Sequence, residues 1–163
     1  MAFEIESLVP ELWCSDFERS VDFYTTILGF GVAQRRERDP HAYLSLGRAQ
    51  IMLAHWEIDG DWEPWFPQAL ERPFGRGINL QFMVDGVQRL YGEVLAAGVK
   101  PFKDIYDAEV WRTDRMDTRR QFMVLDPDGY LLRFAEVMSA RPVEDADHDR
   151  LDGSERAGGF TVR

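Results

Sequence analysis

Among the residues that could bind a metal ion or act as a nucleophile, this sequence has three histidines and one cysteine. His41 lies in a predicted turn after a proline, His55 ends a predicted strand, and His148 lies near the C-terminus. None has ligand spacing to another histidine or to a carboxylate, such as an i, i+4 pair on one helix. Cys14 shares a predicted strand face with Leu12, so we expect a buried and unreactive thiol. The spacing therefore indicates surface histidines and a structural cysteine.

Motifs for phosphate binding and for nucleophilic catalysis are also missing from the sequence. The glycine pair in the segment GRG (75–77) is too close for a phosphate-binding loop, and the segment lacks the lysine and the following serine or threonine. We expect this segment to be a turn. No serine or cysteine lies in the strand–turn–helix context of a nucleophile elbow.

Length and charge restrict the possible partners. The 163 residues suit a single domain, and 19 basic against 29 acidic residues give a net charge of −10. Such a surface repels phosphate backbones and anionic lipid, so we expect no nucleic-acid partner and no membrane partner. No apolar run is long enough to span a bilayer, and the first residues do not resemble a secretion signal. With one cysteine, the sequence predicts a cytoplasmic protein.

The first third of the chain reads as a strand, a helix and three further strands. Alternation predicts a strand at about 8–14, and Ser15 or Asp16 could cap the helix that follows. An apolar stripe at helical spacing continues to Gly29, which is expected to end the helix. The strands that follow are predicted at about 30–36, 42–46 and 49–55.

The same order returns about 70 residues later, which indicates an internal repeat. A strand at 79–84 leads through Asp85-Gly86 into a helix that Gly98 is expected to end. The remaining strands are predicted at about 102–106, 110–113, 120–125 and 130–137, with a tight DPDG turn at 126–129. Two βαβββ modules in one α+β domain, at about 7–55 and 77–138, follow from this pattern.

Two segments lie outside the repeat. The stretch 56–76 contains three tryptophans and three prolines, and it is expected to be an aromatic connector that packs on the body or on a second subunit, or that borders a ligand cleft. Residues 139–163 are polar and without periodicity, so a tail is predicted there.

Four short motifs, in their order and spacing, resemble the vicinal oxygen chelate superfamily, which includes glyoxalase I, extradiol dioxygenases and bleomycin resistance proteins. They are DFERS (16–20), FY (23–24), LGF (28–30) and DPDG (126–129). Within that group, LVPEL (8–12), RPFGRG (72–77) and GYLLRF (129–134) are most similar to bleomycin-resistance-like chains. The resemblance implies that the two modules form a curved mixed sheet round a cavity, in a homodimer.

The enzymes of this superfamily hold a divalent metal ion, and the resemblance indicates which positions would bind it here. In the first strands of the two modules these are Val9 and Asn79, and in the last strand of the first module they fall among residues 51–53. Arg133 stands where the second module would carry a glutamate. Aliphatic and thioether side chains do not bind such an ion, and a guanidinium repels it. We therefore expect no metal and no other cofactor.

If the strands curl round a cavity, alternation predicts which side chains line it. The predicted ligand-binding residues are Glu11, Trp13, Gln81, Met83, Trp111, Gln121, Met123 and Arg133. Thioethers and tryptophan beside amides suit a large, planar, amphipathic ligand. Glu11 and Arg133 could pair with each other, or could separately meet a cationic group and an oxyanion of the ligand.

Three hypotheses on function follow. The first is a metal-free binding protein that sequesters an aromatic or cationic compound, possibly bleomycin-like, in a cleft of a homodimer. The second is a metal-dependent lyase, isomerase or dioxygenase whose ligands lie at other positions. The third is a metal-free enzyme with Glu11 as general base and Arg133 stabilising negative charge. The sequence favours the first, with no catalytic residue.

Overall fold

A computed structural model describes residues 4–36, 40–55, 70–144 and 147. Most of the predicted connector and the last residues of the predicted tail lie outside these ranges. The first module consists of the strand β1 (Glu11–Cys14), the helix α1 (Phe17–Asp22) and the strands β2 (Gly31–Arg36), β3 (His41–Leu46) and β4 (Ala49–His55). The second consists of β5 (Asn79–Met83), α2 (Val87–Ala96), β6 (Lys103–Trp111), β7 (Arg115–Leu125) and β8 (Leu131–Pro142).

Each module forms a four-stranded mixed sheet with the same topology. The strand orders are β1-β4-β3-β2 and β5-β8-β7-β6. The first strand of each module pairs in parallel with the last, and the other pairs are antiparallel. The expected α+β fold of two βαβββ modules is confirmed.

The helix α1 begins at an aspartate cap and continues into a π-helical turn over Phe23–Ile27. The side chain of Asp16 accepts a hydrogen bond from the backbone N–H of Arg19 at 3.0 Å, so Asp16 rather than Ser15 is the N-cap. Gly29 has a φ of 75° and ends this segment as expected. No helix within the described ranges has both the length and the apolar character that crossing a membrane requires.

Three strands of the second sheet, β6, β7 and β8, are longer than the sequence pattern indicates, and β7 begins at Arg115 rather than at about 120. The segments expected at about 102–106 and 110–113 form the single strand β6. This strand pairs with β7 from Lys103 to Trp111, with one bulge between Lys103 and Tyr106. β8 continues to Pro142, because its last residues pair with the start of β7. The strand therefore includes residues 139–142, where no apolar alternation marks it.

One hydrophobic core runs through both modules. The ring of Phe82 on β5 stacks on Phe134 of β8, with centroids 5.3 Å apart, and Phe134 stacks on Phe122 of β7 at 5.4 Å. Phe30, which follows α1, meets the edge of Phe82 at 5.3 Å. Aromatic packing thus joins the first module to the second.

Cys14 lies in this core, and burial raises the pKa of its thiol to about 12. We expect no reaction of the native protein with a disulfide reagent such as DTNB at pH 8, because the thiolate is the reactive form. Full reaction is expected after unfolding in guanidinium chloride. Rapid labelling of the native protein would show that the strand β1 opens, in contradiction to this packing.

Candidate functional site

In both sheets one face packs on helices and the other face, which we call the helix-free face, carries the candidate site. On β1, Leu12 and Cys14 are buried in the core, whereas the alternating Glu11 and Trp13 are only half-buried. The register places Glu11 beside Met52 of β4, and Met52 beside Tyr43 of β3. A carboxylate, a thioether and a phenol therefore lie in one row across the first sheet.

The second sheet presents two further rows on its helix-free face. Members of each row are direct partners on neighbouring strands, in the order β5, β8, β7 and β6. The first row is Gln81, Arg133, Met123 and Lys103, and the second is Met83, Ala135, Gln121 and Tyr106. The predicted residues of this sheet except Trp111 thus come together on one surface.

Trp111 does not join this surface. It pairs with Met116 at the end of β6, and alternation along that strand puts it on the face opposite to Tyr106. The sequence pattern divides β6 into two segments, at about 102–106 and 110–113, so the parity from Tyr106 to Trp111 cannot be counted before the single strand is known.

The two modules adjoin where the start of β4 and the segment before β1 face the strand β5. A cavity of about 330 Å³ lies there, lined from the first module by residues that include Pro10 and Ile51, and from the second by Leu80, Gln81 and Phe82. Gln81 belongs both to this cavity and to the row that contains Arg133.

The DPDG turn fastens the modules to each other at the end of β1. The Asp128 carboxylate, almost fully buried, accepts hydrogen bonds from the Ser15 hydroxyl at 2.6 Å and the Ser15 backbone N–H at 3.0 Å. Arg72 donates to the same carboxylate at 2.9 Å. The hydroxyl that could have capped α1 is used here instead, which fixes Trp13 and Glu11 relative to the second sheet.

A second carboxylate of this turn contacts α1. Asp126 accepts a hydrogen bond from the Tyr24 hydroxyl at 2.9 Å and from the backbone N–H groups of Asp128 and Tyr130 at 3.0 and 2.8 Å. Burial raises the pKa of Asp126 to about 6 although these hydrogen bonds oppose the rise. All the contacts of this group are internal to the junction, so we assign it a structural role.

Polar groups of the second row are partly engaged with one another. The Gln121 amide, nearly buried, donates to the Tyr106 hydroxyl at 2.7 Å. The Lys103 ammonium lies 3.8 Å from the centroid of the Tyr106 ring, in a cation–π contact. These contacts fix the phenol and leave its own O–H free to donate to a ligand.

Three arginines at the far end of the second sheet form ion pairs with one carboxylate. Asp117, which is buried, receives Arg115 at 2.8 Å, Arg112 at 3.0 Å and Arg119 at 3.2 Å. Burial alone would raise the pKa of Asp117, but the hydrogen bond from Arg119 and the three positive charges hold it below its ordinary value. Arg119 is therefore committed to an internal ion pair.

Arg133 differs from those arginines. Its Nε is buried without a hydrogen-bond partner, as is the Nε of Arg119, but no ion pair joins the guanidinium of Arg133 to a carboxylate in the described ranges. The Glu11 carboxylate likewise has no hydrogen bond or ion pair with another described side chain. The sequence left open whether Glu11 and Arg133 pair with each other, and in the structure they do not.

The side chains at this site do not fit a divalent metal ion. Glu11 lies opposite Met52 and Gln81 lies opposite Arg133, so each strand pair offers at most one oxygen donor. A thioether is a poor ligand for hard divalent ions, and the guanidinium of Arg133 repels a cation. Throughout the described ranges, no three His, Cys, Asp or Glu side chains lie close enough to form a metal site.

Five residues of these rows were not predicted as ligand-binding: Tyr43, Met52, Lys103, Tyr106 and Ala135. Alternation along 41–46 and 49–55 contains the signal for Tyr43 and Met52, because their neighbours Leu44 and Leu53 are the buried ones. Lys103 could not be found this way, because the bulge interrupts the alternation of β6.

Comparisons with known proteins agree on one family. The model of the glyoxalase/bleomycin resistance protein/dioxygenase superfamily matches residues 5–134. The uncharacterized protein YraH of Bacillus subtilis (strain 168) is 25% identical over 127 residues, which are 78% of this chain and 94% of YraH.

Solved structures show the same fold. The structure of TioX from Micromonospora sp. ML1 is 23% identical, covers 82% of this chain and 99% of TioX, and has a TM-score of 0.62. The virulence protein STM3117 from Salmonella typhimurium is 20% identical, with 83% of this chain and all of that chain (100%) covered at a TM-score of 0.59. At these identities the likeness extends to the fold alone.

Proposed function

Since the chain belongs to the glyoxalase/bleomycin resistance protein/dioxygenase superfamily, we propose that it binds a small aromatic compound on the helix-free face of its two sheets. The protein acts by stoichiometric capture and carries out no chemistry on the ligand. The compound has a planar ring system and a cationic group, as bleomycin has. Two copies of the chain together form the cleft.

One observation carries this proposal: the helix-free face combines apolar groups that suit an aromatic ligand with two opposite charges that have no described partner. Met52 and Met83 are flexible thioethers that adapt to ring systems. Glu11 supplies a negative charge for a cationic group of the ligand. The apolar surface that ligand and protein bury against each other contributes about 25 cal/mol of binding free energy for each Å².

The donor set argues for binding rather than for the metal-dependent reactions of the superfamily. An ion of that kind needs several oxygen or nitrogen ligands, whereas the row containing Arg133 offers one amide, one thioether and two positive charges. The measurement that decides is the metal content of the untagged protein by mass spectrometry, before and after dialysis. Near-stoichiometric iron, manganese, nickel or zinc would overturn the metal-free proposal.

Dimer formation is part of the proposal, because apolar side chains and sheet edges remain uncovered. Ile5 and Leu8, before β1, are 57% and 79% exposed, and Val32 on the edge strand β2 is 49% exposed. A second copy of the chain would cover such groups. Sedimentation at micromolar protein is expected to give the dimer mass, and a monomer mass would remove the shared cleft.

Binding can be tested directly with metal-free bleomycin as the probe. We expect saturable binding by isothermal titration calorimetry, and we expect Glu11→Gln to weaken it up to about fivefold, because one ion pair with partial solvent contact contributes about 0–1 kcal/mol. Glu93→Gln, which removes an exposed carboxylate of α2 on the other side of the sheet, is the matched control and is expected to change nothing.

Two results would contradict the proposed binding mode. Equal weakening by Glu11→Gln and Glu93→Gln would show that net charge, and not the helix-free face, attracts the probe. Absence of binding by bleomycin and by aromatic cations of smaller size would overturn the proposed function. Turnover of a bound compound that Glu11→Gln abolishes would instead show a metal-free enzyme with Glu11 as its base.

A further inference from the structure

Arg133 is an unusual arginine in this protein, because its donors are placed on the proposed ligand face and are not used. Arg119, a further arginine of that face, also has a buried Nε without a hydrogen-bond partner, but it forms an ion pair with the buried Asp117. Arg133 is half-buried, its Nε is inaccessible and without a hydrogen-bond partner, and no ion pair engages its guanidinium in the described ranges. Buried N–H groups are nearly always paired, and an unpaired one destabilises the free protein. A ligand that brings a hydrogen-bond acceptor to the Nε–H of Arg133 therefore removes a destabilisation that is present in the free protein.

One of the two side chains beside Arg133 is one that a ligand can move. Gln81 lies on one side and Met123, which is almost fully buried, lies on the other, as its direct partners on β5 and β7. Gln81 is exposed, and its amide nitrogen is 3.3 Å from the sulfur of Met83, a weak acceptor that it loses at little cost. Because Gln81 is unbranched and flexible, it can shift and open the edge of the guanidinium that faces β5. No described carboxylate competes for that edge.

We propose that the ligand carries a carboxylate and that Arg133 binds it through two parallel N–H···O hydrogen bonds. The Nε and one Nη of arginine form a planar fork whose spacing matches the two oxygens of a carboxylate. The Gln81 amide lies in the same row and can donate to the same group. This inference rests on the proposed function, and it adds to the aromatic, cationic compound an acidic group at a defined place.

The lysine in the same row distinguishes fork recognition from simple charge attraction. Lys103 lies two strands from Arg133, roughly 10 Å away at the backbone, and its ammonium is occupied by the ring of Tyr106. Removing either residue changes the net charge by the same amount. Only the removal of Arg133 removes a planar pair of donors.

The test uses four probes of equal size: 2-naphthoate, 2-naphthamide, 2-naphthalenesulfonate and 2-naphthylmethylammonium. Affinities are measured by NMR titration up to about 10 mM, which reaches the weak binding expected of fragments. We expect 2-naphthoate to bind at least about tenfold more tightly than 2-naphthamide, and we expect the Nε–H resonance of Arg133 to shift on its addition. Arg133→Lys, which keeps the charge, is expected to abolish this preference, whereas Lys103→Met changes it less than about threefold.

Three outcomes would overturn the inference. The first is equal binding of the carboxylate and the amide, and the second is equal weakening by Arg133→Lys and Lys103→Met. The third is that no probe shifts the Nε–H resonance, including the case in which none binds. Each leaves the proposed function to be decided separately by the bleomycin titration, so the two failures are distinguishable. Circular dichroism of each variant confirms that it is folded.

Discussion

Replacing Phe134 by alanine is expected to lower the free energy of unfolding by about 3–5 kcal/mol. The ring is fully buried on β8 and is stacked between Phe82 and Phe122, with centroids 5.3 and 5.4 Å away. Truncation removes the contacts on both of its faces and leaves a cavity that the neighbouring rings cannot fill, because each is held by its own strand. The loss is a large part of the stability of a domain of this size.

Urea unfolding followed by tryptophan fluorescence measures this loss. Phe134→Leu is the matched control, since it keeps most of the apolar volume and should cost about 1–2 kcal/mol. If the alanine and leucine variants were equally destabilised, the loss could not come from the cavity that alanine leaves, in contradiction to this prediction.

The second large effect is expected for Gly129→Ala, at about 3–5 kcal/mol of destabilisation. Gly129 has a φ of 92°, in the region that side chains rarely adopt. A Cβ at this position would lie 2.4 Å from the Cβ of Pro73 and 2.8 Å from its Cα. Neither backbone can retreat easily, because Phe74 donates a backbone hydrogen bond to Asp128 at 2.9 Å.

Gly98→Ala separates the two causes. Gly98 has a φ of 75°, but a Cβ there meets nothing within 4 Å. We expect this variant to lose only about 1–2 kcal/mol, the cost of the left-handed backbone itself. Thermal unfolding of both variants gives the comparison, and equal losses would show that the close approach of Pro73 and Gly129 is not a constraint.

The repeat of strands and helices could be predicted because its signals are local. Apolar alternation on 41–46 and 49–55, the stripe of α1 and the glycines at helix ends all follow from period and backbone freedom within a few residues. The extra length of β8 could not, because residues 139–142 are held by pairing with β7 and not by an apolar pattern of their own. The role of Ser15 could not be predicted either, because the hydroxyl that could have capped α1 binds Asp128, which lies 113 residues away.

For the candidate site, alternation identified most residues of the helix-free face but not their partners. Glu11, Gln81 and Arg133 lie on that face as expected from their strands. Whether Glu11 reaches Arg133 depends on how two sheet edges meet, which no short-range pattern records. The face of Trp111 depends on β6 being one continuous strand from Tyr106 to Trp111, which the sequence pattern does not indicate.

The pairing of first and last strands also sets an order of events during synthesis. The first sheet can close only when residues 40 positions apart, such as Cys14 and Ala54, have both left the ribosome. It can then form while the second module is still being made, since domains and modules fold as they emerge, at about 5–20 residues per second. The bond from Ser15 to Asp128 must wait much longer. Until the second module has been synthesised, the surface of the first module that will contact it, including Phe30, therefore stays exposed to chaperones that bind the nascent chain.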